Sequence, residues 1–245
     1  GVVATELGMA LADKGHEIHF ITYNQPVRLD FISHHLHFHQ VLLEEYPLFQ
    51  YQPYELALSS KIVEVVEKYH LEVLHVHYAI PHAYAAYMAK QMLHEKGISV
   101  KVVTTLHGTD ITLVGSHPTY KSAVEFSINN SDVVTSVSND LRKTTNKLFT
   151  IKNDIHVIHN FIDTQKYDKV HQLKCNRIAI AKPNERILTH VSNFRPVKRI
   201  ADVIEIFYRI QKELPAKLMM VGEGPERKKA EQLCKTYGIE NKVVF

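Results

Sequence analysis

Short apolar runs of strand length alternate with stretches of helical spacing along nearly the whole chain, and this alternation narrows the fold more than any other feature. The pattern predicts strands over 16–22, 36–43, 72–77, 100–106, 132–137 and 155–158, with helices over 53–69, 80–96, 120–129 and 139–148. Strands separated by helices of this length pair in parallel, through right-handed crossovers. Val2, Leu7, Met9, Ala10 and Leu11 begin the chain as an amphipathic helix that Gly15 ends. A helix opening at a glycine is expected to follow a strand and a glycine-rich turn. With no Met at position 1 and an apolar Val243-Val244-Phe245 at the other end, the chain reads as a fragment.

Between 163 and 185 the pattern turns polar and broken, which marks a linker, and the alternation restarts at Arg186. A strand over 186–192, a helix over 199–214, a strand over 216–221, a Gly222-Glu223-Gly224-Pro225 turn, a helix over 226–237 and a strand beginning at 242 follow. Pro225 suits a first helical turn, where no amide hydrogen is needed. The expectation is α/β, with two Rossmann-like domains: 1–165, lacking its first strand, and 166–245, the linker with a truncated second domain.

Bulk properties exclude several function classes. Net charge is only +3, and Lys and Arg are spread among Asp and Glu without a basic block, so nucleic acid is not a partner indicated by charge. Small anionic ligands stay open. The two cysteines, Cys175 and Cys234, form neither a disulfide framework nor a zinc cluster and suit a reducing compartment. No apolar run approaches the roughly 20 residues of a membrane span, and no leader peptide is legible. A cytoplasmic protein without stable membrane insertion is expected.

The stretch Val191-Ser192-Asn193-Phe194-Arg195-Pro196-Val197-Lys198-Arg199 sets three cations in five residues between an apolar strand, read as buried, and a helix marked by Ile200, Val203, Ile204, Phe207, Ile210 and Leu214. Cations at the carboxyl edge of a sheet, where a helix begins, make an anion site suited to a diphosphate. A solvated basic turn is the alternative reading of such a cluster.

In the first domain, Thr104-Thr105-Leu106-His107-Gly108-Thr109-Asp110 follows a strand and carries an imidazole, a hydroxyl and a carboxylate around a permissive glycine. It reads either as a ligand loop or as a turn whose Asp110 caps the next segment. His77 and Tyr78 project from the same sheet edge. His75, His77 and His82 raise the question of zinc, but no Glu or Cys is placed to complete a site, so no metal is expected. His34, His35, His37 and His39 read as surface and strand histidines. Asn160, after another strand, is a turn residue or a sugar contact. Gly222-x-Gly224 suggests a dinucleotide turn, yet Arg227 replaces the third glycine, which weakens a nicotinamide dehydrogenase reading.

Taken together, Gly1 to Leu7, His107-Gly108-Thr109-Asp110, Val137-Ser138, His159-Asn160-Phe161-Ile162-Asp163, Ser192 to Arg199 and Val221-Gly222-Glu223-Gly224-Pro225 resemble, in order, the family 4 retaining glycosyltransferases of GT-B fold. The resemblance spans the chain and implies two Rossmann-like domains with parallel sheets facing a cleft. The forms HYAIPHAYAAY, TTLHGTDIT and SNFRPVKR are similar to family members that move N-acetylglucosamine from UDP-N-acetylglucosamine to the hydroxyl of L-malate.

By this resemblance Lys198 binds the donor diphosphate. Asn193 stands where many members have Arg, which leaves Arg195 as the second cation. Gly1 and Asn160 join the donor site, and His107 lies beside the donor sugar. Tyr78, Thr109 and Lys121 are the acceptor candidates, because a dicarboxylate needs cations and hydroxyl donors. Retention by front-face attack calls for no cofactor and no paired carboxylates, and no Asp-x-Asp metal motif is present. The partners implied are UDP-N-acetylglucosamine and L-malate, with a homodimer as the candidate assembly. The family's Glu-rich donor segment falls beyond Phe245, so the segment alone is expected to be inactive or nearly so. Two further readings stay open: a family 4 transferase with another acceptor, and a nucleotide-sugar binding module without turnover.

Overall fold

The computed structural model describes residues 1–29, 34–43, 51–164 and 177–245. The chain divides into two compact units, Gly1–Ile162 and Asp163–Phe245. In the first, helix α1 (Val2–Ala12) leads into strand β1 (Ile18–Thr22), which pairs in parallel with β2 (Leu36–Gln40) so that His19 lies opposite His37. Strands β3 (Val73–His77), β4 (Lys101–Leu106), β5 (Val133–Ser136) and β6 (Ile155–Val157) form a second parallel sheet in that order.

Helices carry the crossovers: α2 (Tyr54–Tyr69), α3 (Tyr84–Glu95), α4 (Pro118–Asn129) and α5 (Asn139–Leu148). One core joins Leu58, Ile62 and Val66 of α2 to Ala85, Ala86, Ala89 and Leu93 of α3 and to Leu74, Val100 and Val102 at the sheet. The small alanines let the two helices approach closely, and each fully buried large side chain contributes roughly 1.5–3 kcal/mol. A second core collects Leu106, Ile111, Val124, Ile128, Val134 and Leu141 beneath the other end of the sheet. Ser138 starts α5 by accepting the Leu141 amide at 3.1 Å.

The helix predicted over 80–96 is broken. Residues Ala79–Ala83 form an irregular wide turn and not a regular helix, since Ile80 inside it is extended, at φ −129° and ψ 145°. Pro81 is the physical reason, since its ring disfavours helical backbone in the residue before it. The strand predicted over 36–43 stops at Gln40, and the Val41 amide adds one more ladder bond, to the Thr22 carbonyl at 3.0 Å.

In the second unit β7 (Arg186–Val191), β8 (Ala216–Val221) and β9 (Val243–Val244) pair in parallel, with β8 in the middle. Helix α6 (Ile200–Glu213) buries Ile200, Ile204 and Phe207, while α7 (Arg227–Tyr237) buries Ala230 and Cys234. The reading of β7 as a buried strand is corrected: Arg186, Thr189 and Val191 are exposed, because β7 is an edge strand among the described residues. Burial pushes the Cys234 thiol up to about 11, which leaves it inert; Cys175 lies outside the described residues, as does much of the predicted linker. No described helix is long and apolar enough to cross a membrane.

Candidate functional site

In a parallel α/β sheet the loops at the carboxyl ends of the strands are free to hold a ligand, and two such ends converge here. His77 closes β3, and its Nδ1 lies 2.8 Å from Nε2 of His107, just past the end of β4. Tyr78 follows in a left-handed backbone, φ 81°, and its ring stands 5.1 Å from that of His107. A non-glycine residue held there carries strain of about 1–3 kcal/mol, which surrounding bonds must offset. One is the Tyr78 amide donating to the Thr105 carbonyl at 2.9 Å.

The other is made by Asp110, which is 3% exposed. Its Oδ2 accepts the Ala79 amide at 2.9 Å, and its Oδ1 accepts the amides of Gly108 at 3.0 Å and His107 at 3.3 Å. Asp110 therefore ties the two strand ends together; the reading of it as a cap for the following segment is corrected. The bond to Ala79 joins residues 31 positions apart, and local spacing gives no sign of it.

The histidines form a stack instead of a metal cluster. The rings of His75 and His77 lie 4.9 Å apart, and His75 Nε2 meets Thr105 Oγ1 at 2.8 Å, which in turn meets Thr135 Oγ1 at 2.8 Å. Burial, then the neighbouring His75 and His107, push the His77 imidazole down to about 3. Burial also lowers His75, His82 and His107, against an opposing pull from Asp110 on His107. At neutral pH these rings are uncharged. One ring of the His77–His107 pair donates and the other accepts, so the tautomer of His77 decides whether the outer nitrogen of His107 offers a proton or a lone pair.

A cavity of about 530 Å³ opens beside these residues. Its mouth is polar, with Gly1, Thr5, Thr22, His77, Tyr78 and His82. Its floor is apolar, with Phe20, Ile21, Leu58, Ile62, Leu74 and Val76 between the open edges of β1 and β3. The polar lining is the part suited to a polar ligand.

Of the residues chosen from sequence, Gly1 and Tyr78 line this cavity, and His107 stands beside it against His77 and Tyr78. Thr109 is exposed at the start of the π-helical turn Thr109–Leu113. Lys121 is exposed on the first turn of α4, and Asn160 is exposed beyond β6; neither lines the cavity. His37 and His39, read as surface and strand histidines, are half-buried and stacked against His19.

In the second unit the cationic loop is shaped by an apolar plug. Phe194 is fully buried in left-handed backbone, φ 36°, and its carbonyl accepts the Glu226 amide at 2.9 Å. A β-carbon on Gly222 would lie 1.9 Å from the Ser192 carbonyl oxygen, and one on Gly224 2.1 Å from that of Asn193. Only glycine lets the two loops approach this closely. Asn193, Arg195 and Lys198 are thereby held exposed at the carboxyl end of β7, with Lys198 closing the 3₁₀ turn Pro196–Lys198 one step before α6. Arg199 pairs with Asp202, whereas Arg195 and Lys198 have no carboxylate partner among the described residues. Sequence reading missed Phe194 as the anchor; its place as a lone aromatic between Ser192-Asn193 and the cationic stretch Arg195 to Arg199 was the available signal.

A family model described as Glycosyltransferase Family 4 matches residues 1–166. The chain belongs to glycosyltransferase family 4. A second model of the glycosyltransferases, described as Glycosyl transferases group 1, matches residues 176–245. Across all 245 residues this family 4 chain is 49% identical to N-acetyl-alpha-D-glucosaminyl L-malate synthase of Bacillus anthracis, and it spans 64% of that relative's length. Among solved structures, a glycosyltransferase from Rickettsia africae superposes at a TM-score of 0.69 with 18% identity, over 99% of this chain and 62% of its own. Anabaena HepE in complex with UDP-glucose gives 0.62 with 19% identity, over 86% and 56%. The catalytic domain of starch synthase IV from Arabidopsis thaliana, bound to ADP and acarbose, gives 0.64 with 16% identity, over 98% and 69%. These likenesses establish the fold, and the two parallel units of the family 4 chain are the Rossmann-like pair of GT-B architecture.

Proposed function

We propose that this protein is a retaining glycosyltransferase that moves N-acetylglucosamine from UDP-N-acetylglucosamine to the hydroxyl of L-malate, the first step of bacillithiol biosynthesis. The observation that carries the reading is the 49% identity, over all 245 residues of this chain and 64% of the relative, to a protein whose name states the product class. Lys198 and Arg195, without a carboxylate partner among the described residues, supply counter-charge as the UDP diphosphate departs. Asn193, Gly1 and Asn160 complete the donor contacts. His107, neutral and anchored by His77, hydrogen-bonds the sugar beside the breaking bond.

Tyr78, Thr109 and Lys121 are assigned to the acceptor, whose two carboxylates call for hydroxyl donors and a cation. A cytoplasmic enzyme, assembled as a homodimer and needing no cofactor, is the proposed setting. The test is a product assay on the full-length protein, with UDP-N-acetylglucosamine and L-malate against other hydroxy acids. Turnover with malate at least tenfold above the others is expected. Turnover of UDP-N-acetylglucosamine with a different acceptor only would sink the malate assignment, and tight UDP binding without any product would favour a binding module.

A further inference from the structure

At the amino end of β1 lies a group of side chains that the glycosyl-transfer reading does not use. Glu17 immediately precedes β1, His19 is its second residue, and His37 sits directly across the ladder on β2. Residues two apart on one strand, and partners across a parallel ladder, project from the same face. The three therefore converge. Oε1 of Glu17 stands 3.4 Å from Nε2 of His19 and 3.2 Å from Nε2 of His37, and all three ligand atoms lie within 4.8 Å of one another.

The side chain of His19 is 1% exposed, yet its Nε2, like that of His37, is buried without a hydrogen-bond partner among the described residues. Glu17 Oε1 stands within ion-pair distance of both nitrogens, yet neither makes a hydrogen bond, and a buried nitrogen left so costs about 1–3 kcal/mol. We propose that Glu17, His19 and His37 form a binding site for a divalent transition-metal cation of the zinc type.

Three features of the geometry argue for it. Tetrahedral ligands about 2.0–2.1 Å from zinc stand about 3.3 Å from one another, close to the two separations that Glu17 makes. The other ring nitrogen of His19, Nδ1, lies 2.8 Å from Nε2 of His39, so donating that proton outward leaves the Nε2 lone pair free for the metal. The ring of Tyr69 covers the imidazoles at 4.5 Å from His19 and 5.2 Å from His39, walling off the site on one side. Glu17 is more than half exposed and gives the ion a path in, with a fourth position for water.

The other histidine group differs. Nitrogens of His75, His77 and His107 are engaged with Thr105 or with each other, and they present no convergent free set. His19 also lines the cavity, but with Glu17 and His37 it stands at the amino end of β1, at the far end of the strand from Thr22, so the ion's role is to tie β1 to β2.

The test is titration of metal-stripped full-length protein with Zn²⁺, followed by calorimetry and melting, and with Co²⁺, followed by visible absorption. One equivalent bound with Kd below about 10 µM, a rise in melting temperature and the intense bands of a low-coordinate cobalt site are expected. Glu17→Gln, at an exposed position, and His37→Gln, at a half-buried one, should each weaken binding at least tenfold while transfer activity in chelator stays unchanged. His39→Gln should weaken it less. In the wild-type protein, with no variant involved, zinc should move the Nε2 resonances of His19 and His37. Zinc affinity unaltered in the Glu17→Gln, His37→Gln double variant, or ring resonances that stay in place, would overturn the site.

Discussion

His77 and His107, on neighbouring parallel strands, meet nitrogen to nitrogen at 2.8 Å, with the ring of Tyr78 leaning against the second of them. Two imidazoles this close cannot both carry protons at acceptable cost, so the pair is neutral and polarised, one ring fixing the tautomer of the other. The relationship depends on Asp110, which gathers the backbone of both strand ends onto one carboxylate.

The depressed imidazoles set a direction for stability against pH. An unfolded His77 takes its proton near the ordinary 6.5, whereas the native one refuses it until about 3. Throughout that window the unfolded state binds more protons, so stability falls as pH drops from 6.5 toward 3 and is unaffected by this group above 6.5. At pH 5 the loss from His77 is on the order of 2 kcal/mol. Urea melts from pH 7.5 to 4.5 should show it, and His77→Gln should flatten the profile.

Replacing Asp110 with Ala leaves three backbone amides short of an acceptor, that of Ala79 in a buried place and those of His107 and Gly108 in a half-buried one. A loss of roughly 2–4 kcal/mol is expected, together with a drop in transfer rate from the displaced His107. Thermal melting and initial rates on the same preparation check both. A variant with wild-type melting would mean that the amides find other partners.

Lys198→Ala in the full-length protein should lower kcat/KM by about 100-fold or more, with Lys198→Arg recovering part of it. Arg195→Ala should cost less. Release of UDP is the readout, and equal effects at the two positions would contradict their different assignments.

Phe194→Ala should destabilise the second unit by about 3–5 kcal/mol through the cavity it leaves. UDP affinity should fall along with stability, because the same ring shapes the loop. Denaturant melts and calorimetric titration with UDP test the pair; unaltered UDP affinity in a folded Phe194→Ala protein would separate plug from site.

The alternation of strands and helices was legible because burial on a sheet or a helix imposes a period on the chain, and nearly every predicted element is present within a few residues. The cation loop was legible too, since Arg195 and Lys198 lie between a periodic strand and a periodic helix. What escaped was long-range. Asp110 reaches Ala79, Phe194 fits beneath a turn at 222–226, and His19 meets His37 only through ladder register. The break at Ile80 was written locally in Pro81, and an apolar helical period running through it hid the signal.

The apolar seat of Phe194 carries a consequence for ionic strength. Dissolved salt shields Arg195 and Lys198 from an approaching anion, since both are exposed, but it has no purchase on a ring packed out of water. Concentrated electrolyte will thus dull the attraction while leaving the posture of the turn as it was, a decoupling that a loop built from ion pairs would lack.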